Sequence, residues 1–343
     1  MAPQSKRTRQ VAVVLVKVSF SLALCFALVS KVGVQPLIKT MSSVRPASFL
    51  AAMGFYLVAM YVSSIRWRTF IPFRIRTRDM YALYLIGCFF NIFLPGIVGG
   101  DAVKAYYLSR HLKSLRDEDG ARSLSPSALR LDKVALSLAS VFMDRYMGFS
   151  ALLIINLFAF VVGFRYVVGT SLKWLIPLIF SLFVGGSVLF FVLKLGSRFG
   201  FVNKVYEYFD LYRSRGALLL RTFLYSLLVQ LLGILAVYVL SVGLSLKISF
   251  LSLLVFVPIA ITASLIPLSI SGLGFREGAF VVLFATVGIP SELSMTLSLL
   301  WFLSMVAGSM WGLVEYLRVK RLMGKVPVPE ENPDAGRGHS ESR

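Results

Sequence analysis

Long apolar runs alternate with short basic or polar segments along the whole chain of 343 residues. A helix rises about 1.5 Å per residue, so a run of about 20 apolar residues crosses the hydrocarbon core of a bilayer. Runs of about this length are found at Val11–Ser30, Ala47–Ile65, Leu136–Val162, Trp174–Leu193, Leu218–Leu240 and Met295–Leu317. The pattern predicts an all-α, polytopic helical membrane protein with about six full spans.

Two further apolar regions are too short or too interrupted to be ordinary spans. Tyr81–Leu94 corresponds to only about 21 Å of helix, and Pro95 follows it directly. Phe250–Val287 is interrupted by Pro267, and its second limb, Phe275–Val287, is also shorter than a span. Such segments are typical of re-entrant hairpins or of broken helices that meet inside a transporter. We place these hairpins at about residues 80–107 and 250–287.

The distribution of basic residues predicts the topology. The chain has 36 Lys and Arg against 16 Asp and Glu, which gives a formal net charge of +20. If each hairpin begins and ends on one side of the membrane, 27 basic residues fall on one side and 6 on the other. Since basic loops mark the cytoplasmic side, we expect cytoplasmic N- and C-termini. The basic face then meets anionic lipid, and nucleic acid is not an expected partner.

This topology divides the chain into two inverted membrane repeats, an arrangement typical of transporters. A basic N-terminal segment at residues 1–10 precedes the first repeat, residues 11–162, and the second repeat covers residues 163–320. Residues 321–343 have the composition of a disordered cytoplasmic tail. The two breaks also match weakly in sequence, because each proline is followed by a glycine five residues later and by a basic residue nine residues later.

The overall composition narrows the function further. Hydrophobic residues make up 57% and charged residues 15% of the chain, too few charges to cover the surface of a soluble enzyme. The two cysteines, Cys25 and Cys88, lie in apolar stretches, and the two histidines have no metal-ligand spacing. We therefore expect no metal site, no cofactor and no catalytic constellation.

The first break carries the densest group of candidate binding residues. Proline ends the preceding helix, and glycines allow the backbone to approach a ligand closely. A helix that starts near Asp101 would offer free N–H groups to a phosphate or carboxylate, with Lys104 one turn further on. The alternative is an ordinary loop with Asp101 as helix N-cap. The candidate substrate-binding residues here are Asn91, Pro95, Gly99, Gly100, Asp101 and Lys104.

The second break repeats this arrangement around Gly272 and Gly274. A helix that starts near residues 273–275 places Arg276 and Glu277 in its first turn. Because adjacent residues on a helix do not face each other, we expect these two side chains to have different partners. Arg276 would bind an anionic headgroup, and Glu277 would interact with the helix N-terminus or carry a proton. The alternative is an Arg–Glu pair that reaches water at the membrane edge.

A third candidate is the charged pair Asp144 and Arg145, about nine residues into the predicted span that begins at Leu136. Ionisable groups at that depth are costly and usually face a water-filled cavity or pair with another polar group. The alternative is that the helix enters the bilayer later, near Ala139, which would leave the pair at the interface.

Three motifs in order resemble those of a known family. They are Asn91…Leu94-Pro95-Gly96…Gly99-Gly100-Asp101…Lys104-Ala105-Tyr106, then Asp144-Arg145, then Pro267…Gly272-Leu273-Gly274-Phe275-Arg276-Glu277-Gly278. Over roughly residues 10–320 the chain resembles the lysylphosphatidylglycerol synthase transmembrane family, also called flippase-like proteins. The resemblance implies a polytopic protein of a bacterial or archaeal cytoplasmic membrane. In the best-known member of the family, this membrane domain moves an aminoacylated phospholipid between leaflets. By resemblance, the functional positions are Asp101, Lys104, Asp144, Arg145, Arg276 and Glu277.

We therefore expect a translocase for a phospholipid or lipid-linked anionic headgroup, whose phosphate binds at the two broken-helix N-termini beside Lys104 and Arg276. Nothing in the chain resembles the soluble aminoacyl-transferase domain of the synthase, so aminoacylation is not expected. One alternative is a membrane-embedded transferase in which Asp101 and Asp144 act as base or metal ligands. Another is a scaffold for a lipid-modifying enzyme, and a lipid synthase or glycosyltransferase is a candidate partner in either case.

Overall fold

The computed structural model describes residues 33–93, 99–114, 132–169, 172–194, 200–213, 215–265 and 272–323, together with residues 19, 26 and 30. Within these ranges the regular elements are helices. They are α1 (Val34–Ser42), α2 (Pro46–Thr69), α3 (Thr77–Phe93), α4 (Gly99–Ser114), α5 (Lys133–Val162), α6 (Phe164–Val167), α7 (Leu172–Ser187), α8 (Gly200–Arg213), α9 (Gly216–Gly243), α10 (Phe250–Ser264), α11 (Phe275–Ala285) and α12 (Ser291–Met323).

Among the described residues, the four helices α2, α5, α9 and α12 are long and apolar enough to cross a membrane. They contain four of the spans that the hydrophobic pattern predicts, and each extends a few residues beyond the predicted run. The prediction of an all-helical, polytopic membrane protein is confirmed.

The remaining two predicted spans have different outcomes. The apolar run at Trp174–Leu193 forms α7 and a π-helical turn, Val188–Val192, which together give a shorter apolar helix than the four long ones. The run at Val11–Ser30 lies outside the described residues apart from three single positions, and so does the predicted tail beyond residue 323.

Both interrupted apolar regions consist of two helices on either side of a break. The first region contains α3 and α4, and the second contains α10 and α11; in each region the two helices pack against each other. Helix α12 contacts α3 and α11, so it connects the two regions. The breaks at residues 94–98 and 266–271, with Pro95 and Pro267, lie outside the described residues.

Local sequence signals explain where several helices begin and end. Pro46 occupies the first turn of α2, where its missing N–H has no intrahelical partner to lose. The Asp132 carboxylate accepts a hydrogen bond from the Val134 N–H at 3.3 Å and caps α5. Ser249 caps α10 in the same way, with its hydroxyl 3.1 Å from the Ser252 N–H.

The buried side chains form two main apolar cores. One core lies between α9, α10, α11 and α12, and its largest side chains are Phe256, Phe280, Phe284 and Trp301. The other surrounds the C-terminal end of α2 with α3, α4, α5 and α8, and includes Trp67, Phe70, Tyr84, Leu108, Met143 and Tyr208. The charged residues of the first break and of α5 lie against this second core.

Helix α8 fixes the end of α2 from outside the long helices. Tyr208 and Tyr212 are both buried, and both hydroxyls donate hydrogen bonds to the Phe70 carbonyl oxygen, at 2.6 Å for Tyr212. Burial raises the pKa of Tyr208 well above its usual value, so its hydroxyl remains protonated and able to donate. The last turn of α2, which carries Arg66 and Trp67, is therefore held in place.

Candidate functional site

Two glycines allow α3 and α4 to approach closely at the first break. A Cβ atom at Gly100 would overlap the carbonyl oxygen of Gly87, and a Cβ at Gly87 would overlap the Lys104 side chain. The Gly100 N–H donates a hydrogen bond to Asn91 Oδ1 at 3.0 Å. This close contact turns Lys104 towards the interior, between α4 and the neighbouring helices.

Lys104 is buried, with a side-chain exposure of 1%. Its Nζ lies 3.3 Å from Asp101 Oδ1 and 3.9 Å from Asp144 Oδ2. The same nitrogen lies over two aromatic rings, 5.0 Å from the centroid of Trp67 and 4.3 Å from that of Tyr84. Carboxylates and aromatic faces are both groups that stabilise a desolvated ammonium group.

Asp144 is fully buried and accepts hydrogen bonds from two other helices. Arg66 Nε donates to its Oδ1 at 2.8 Å, and the Tyr84 hydroxyl donates to its Oδ2 at 3.1 Å. Arg66 also donates from Nη1 to the Ser226 hydroxyl at 2.9 Å. Residues of α2, α3 and α5 therefore meet at one carboxylate, and α9 joins them through the contact of Ser226 with Arg66.

Asp101 and Arg145 form the outer part of the same group. Arg145 Nε and Nη2 donate to the two Asp101 carboxylate oxygens at 2.8 and 2.9 Å. The Arg145 side chain is 53% exposed, whereas that of Asp101 is 10% exposed. Arg145 is therefore the exposed member of this group, whereas Asp101 and Lys104 are largely buried.

We call these five side chains the charged cluster: Arg66, Asp101, Lys104, Asp144 and Arg145. Three are cations and two are carboxylates, so the cluster has one positive charge in excess. Unbalanced charge is costly away from water, and a bound anion would neutralise it. For a metal ion, no group of three or more His, Cys, Asp or Glu side chains comes together within the described ranges.

The second break has a different arrangement. The helix begins at Phe275, as predicted, after Gly272 and Gly274, whose φ angles of 73° and 89° favour glycine. Glu277 folds back so that its Oε2 accepts a hydrogen bond from the Gly274 N–H at 2.6 Å, an interaction that caps the helix.

The prediction that Arg276 and Glu277 have different partners is wrong. Arg276 Nη2 lies 2.5 Å from Glu277 Oε1, and both side chains are buried. The Ser298 hydroxyl lies 3.2 Å from Arg276 Nε and from Glu277 Oε1. Because the capping carboxylate returns to the helix start, the long Arg276 side chain can reach it. The rule for neighbours on a helix surface does not apply to this conformation.

Among the described residues, Lys104 and Arg276 do not share one anion site. Ser298 of α12 contacts the Arg276–Glu277 pair. Gly312 of the same helix packs against the backbone of Leu85, the neighbour of Tyr84, whose hydroxyl donates to Asp144 of the charged cluster. These two positions on α12 are about 21 Å apart along the helix axis. Lys104 and Arg276 therefore belong to separate groups, and only the group around Lys104 has a charge excess.

Sequence reasoning missed Arg66, Trp67, Tyr84 and Ser226. Arg66 directly follows an apolar run and is the first of five basic residues up to Arg78, a pattern typical of a cytoplasmic loop. An available signal was Asp144 itself, because a carboxylate in an apolar helix requires a cation from another helix. Of the predicted site residues, Pro95 alone lies outside the described residues.

This architecture defines a class, polytopic helical membrane proteins with a buried group of ionised side chains between their helices. The family model for the lysylphosphatidylglycerol synthase TM region matches residues 12–312, which include both breaks and the charged cluster. The chain belongs to this family. Among curated proteins, none matches the chain.

Proposed function

We propose that the protein moves the anionic headgroup of a phospholipid or lipid-linked molecule across the membrane, with no covalent change to the lipid. The observation that carries this proposal is the excess positive charge of the charged cluster, half exposed at Arg145 and buried at Lys104. The membership in a family described by a lipid synthase's membrane region supports a lipid as the ligand.

In this proposal the phosphate of the headgroup binds Arg145 first and Lys104 next. Guanidinium groups bind phosphate through two parallel hydrogen bonds, and the ammonium of a lysine acts as a mobile point charge. Arg66 and Tyr84 fix Asp144 behind the site, so the excess charge stays directed towards Arg145. The acyl chains remain in the bilayer while the headgroup crosses.

Alternating exposure of the site would come from movement of one repeat against the other. The two helix–break–helix regions and the helix α12 that contacts both of them support such a movement. The strongly basic chain supports a cytoplasmic membrane location with both termini inside, where basic loops meet anionic lipid. In this setting a lipid synthase or glycosyltransferase that supplies the lipid is a proposed partner.

Reconstitution into vesicles tests the proposal. The full chain is incorporated into phosphatidylcholine vesicles that contain a fluorescent phosphatidylglycerol, and the fraction of label accessible to an external quencher is followed over time. We expect the accessible fraction to rise faster than in protein-free vesicles, because label moves from the inner to the outer leaflet. Equal rates in the two preparations would contradict translocation of this lipid.

Mass spectrometry of the same vesicles separates the alternatives. Headgroup movement with an unchanged lipid mass supports translocation. A new lipid species, formed when a donor lipid is added, would instead indicate a transferase. If neither headgroup movement nor a new lipid product is observed, the result supports a scaffold role for the charged cluster and its helices.

A further inference from the structure

The ion pair between Asp101 and Arg145 has the geometry of a ligand bound to an arginine. Two parallel hydrogen bonds of 2.8 and 2.9 Å join the guanidinium to both carboxylate oxygens. The pair forms the outermost layer of the charged cluster, since Arg145 is half exposed and Lys104 behind it is buried. Arg145 is therefore the cation of this cluster that an anion outside the protein can contact directly.

A phosphodiester presents the same pattern as a carboxylate, because two non-bridging oxygens share one negative charge. We infer that the Asp101 carboxylate is an internal anion that occupies the headgroup site, and that a phosphodiester replaces it on Arg145. This inference rests on the proposed function and adds the substrate chemistry, a diester phosphate. The same chemistry occurs in a lipid headgroup and in a free phosphodiester.

The displaced Asp101 carboxylate has other partners within reach. Lys104 Nζ is already 3.3 Å from it. Asp101 also lies in the first turn of α4, where unpaired N–H groups and the helix dipole favour a negative charge. The exchange therefore leaves no carboxylate without compensation. Return of Asp101 to Arg145 would then promote release of the headgroup.

Asp101→Asn tests the exchange, because asparagine has nearly the same shape but removes the competing charge. The excess of the cluster rises from one positive charge to two. Calorimetric titration of the purified full chain in detergent with dioctanoyl phosphatidylglycerol measures the effect. We expect binding about tenfold tighter, or more, than in the native chain, which is the scale of one charge-assisted hydrogen bond.

Asp210→Asn is the matched control, because Asp210 also pairs with a cation, Lys194, at 3.4 Å but lies half exposed on α8. The affinity of Asp210→Asn for dioctanoyl phosphatidylglycerol should equal that of the native chain. Equal affinities of the native and Asp101→Asn chains would overturn the exchange.

A second probe, deacylated glycerophosphoglycerol, distinguishes the two sources of the phosphodiester. Tighter binding of both probes by Asp101→Asn supports recognition of the diester by itself. Tighter binding of the lipid alone supports a lipid headgroup. No gain with either probe overturns the inference.

Arg145→Lys and Arg145→Met decide the question should Asp101→Asn not fold. A lysine weakens the Asp101 carboxylate and the phosphodiester alike, because both use the two parallel hydrogen bonds of Arg145, so lipid affinity should change much less than in Arg145→Met, which also removes the charge excess and should bind about tenfold more weakly. Native affinity in Arg145→Met would overturn the exchange.

The transport assay is read separately. If the native chain transports lipid but Asp101→Asn binds no more tightly, the exchange is wrong and translocation stands. If Asp101→Asn binds more tightly but the native chain transports no lipid, the exchange stands and translocation is wrong.

Discussion

Arg66 and Asp144 form a buried ion pair across 78 positions of sequence, with 2.8 Å between Nε and Oδ1. The pair joins α2 to α5, and the hydrogen bond from Arg66 to Ser226 adds α9. Three of the four long helices therefore meet at one guanidinium group. Gly148 leaves room for it, since a Cβ atom there would lie 3.2 Å from Arg66 Nη1.

We predict that Arg66→Ala lowers the free energy of unfolding by about 3–5 kcal/mol, because it leaves the Asp144 carboxylate buried with one cation fewer. The double variant Arg66→Ala with Asp144→Asn should lose less than the sum of the two single variants. Chemical unfolding in detergent micelles measures both. If the two single-variant changes in unfolding free energy add up to the change in the double variant, the two residues do not stabilise the fold through their ion pair.

Asp210→Ala provides the comparison for that experiment. It removes the ion pair with Lys194, in which both side chains are about half exposed. Exposed pairs contribute about 0–1 kcal/mol, so the change in unfolding free energy should be small.

We predict that Gly100→Ala separates α3 from α4, because the added Cβ overlaps the Gly87 carbonyl oxygen and the Asn91 backbone. Overpacking of this kind costs about 1–3 kcal/mol, and the displaced Lys104 should lower transport as well. Gly54→Ala on α2 is the matched control, since no atom lies within 4 Å of its added Cβ. A Gly100→Ala chain as stable and as active as Gly54→Ala would contradict the close packing.

The Tyr208 hydroxyl predicts a dependence of stability on pH. Burial raises its pKa in the folded chain, while in the unfolded chain it ionises near pH 10. Since the unfolded state releases this proton first, stability falls as the pH rises through about 10. The stability advantage of the native chain over Tyr208→Phe should therefore shrink between about pH 8 and pH 10.5. A constant difference over that range would be inconsistent with a buried, protonated hydroxyl.

The hydrophobic pattern located the long helices well because run length alone decides whether a helix can span a bilayer. It placed their ends less well. Helix α2 continues to Thr69, past the apolar run that ends at Ile65, because its last turn is buried by α8 and the neighbouring helices. Helix α7 is replaced by a π-helical turn at Val188, which the apolar sequence does not indicate.

Four members of the charged cluster were predicted: Asp101 and Lys104 from the helix start after the first break, and Asp144 and Arg145 because charges in an apolar helix are costly. Lys104 and Asp144 come together through helix packing, which a single sequence does not specify. Arg66 was missed because a cation at the end of a span looks like an ordinary cytoplasmic residue. Arg276 was assigned to a ligand, although it pairs with Glu277, because side-chain conformation at a helix start cannot be derived from spacing.

The most direct test of a headgroup site at the charged cluster is the transport rate of Lys104→Met in vesicles. Methionine keeps an unbranched side chain next to the Trp67 and Tyr84 rings but removes the charge. Asp101 and Asp144 retain their ion pairs with Arg145 and Arg66. Lys39→Met, on the exposed side of α1, is the matched control. We predict that Lys104→Met loses transport by about tenfold or more, the scale of one charged hydrogen bond, while Lys39→Met retains the native rate. Transport at the native rate by a folded Lys104→Met chain would contradict a headgroup site at the charged cluster.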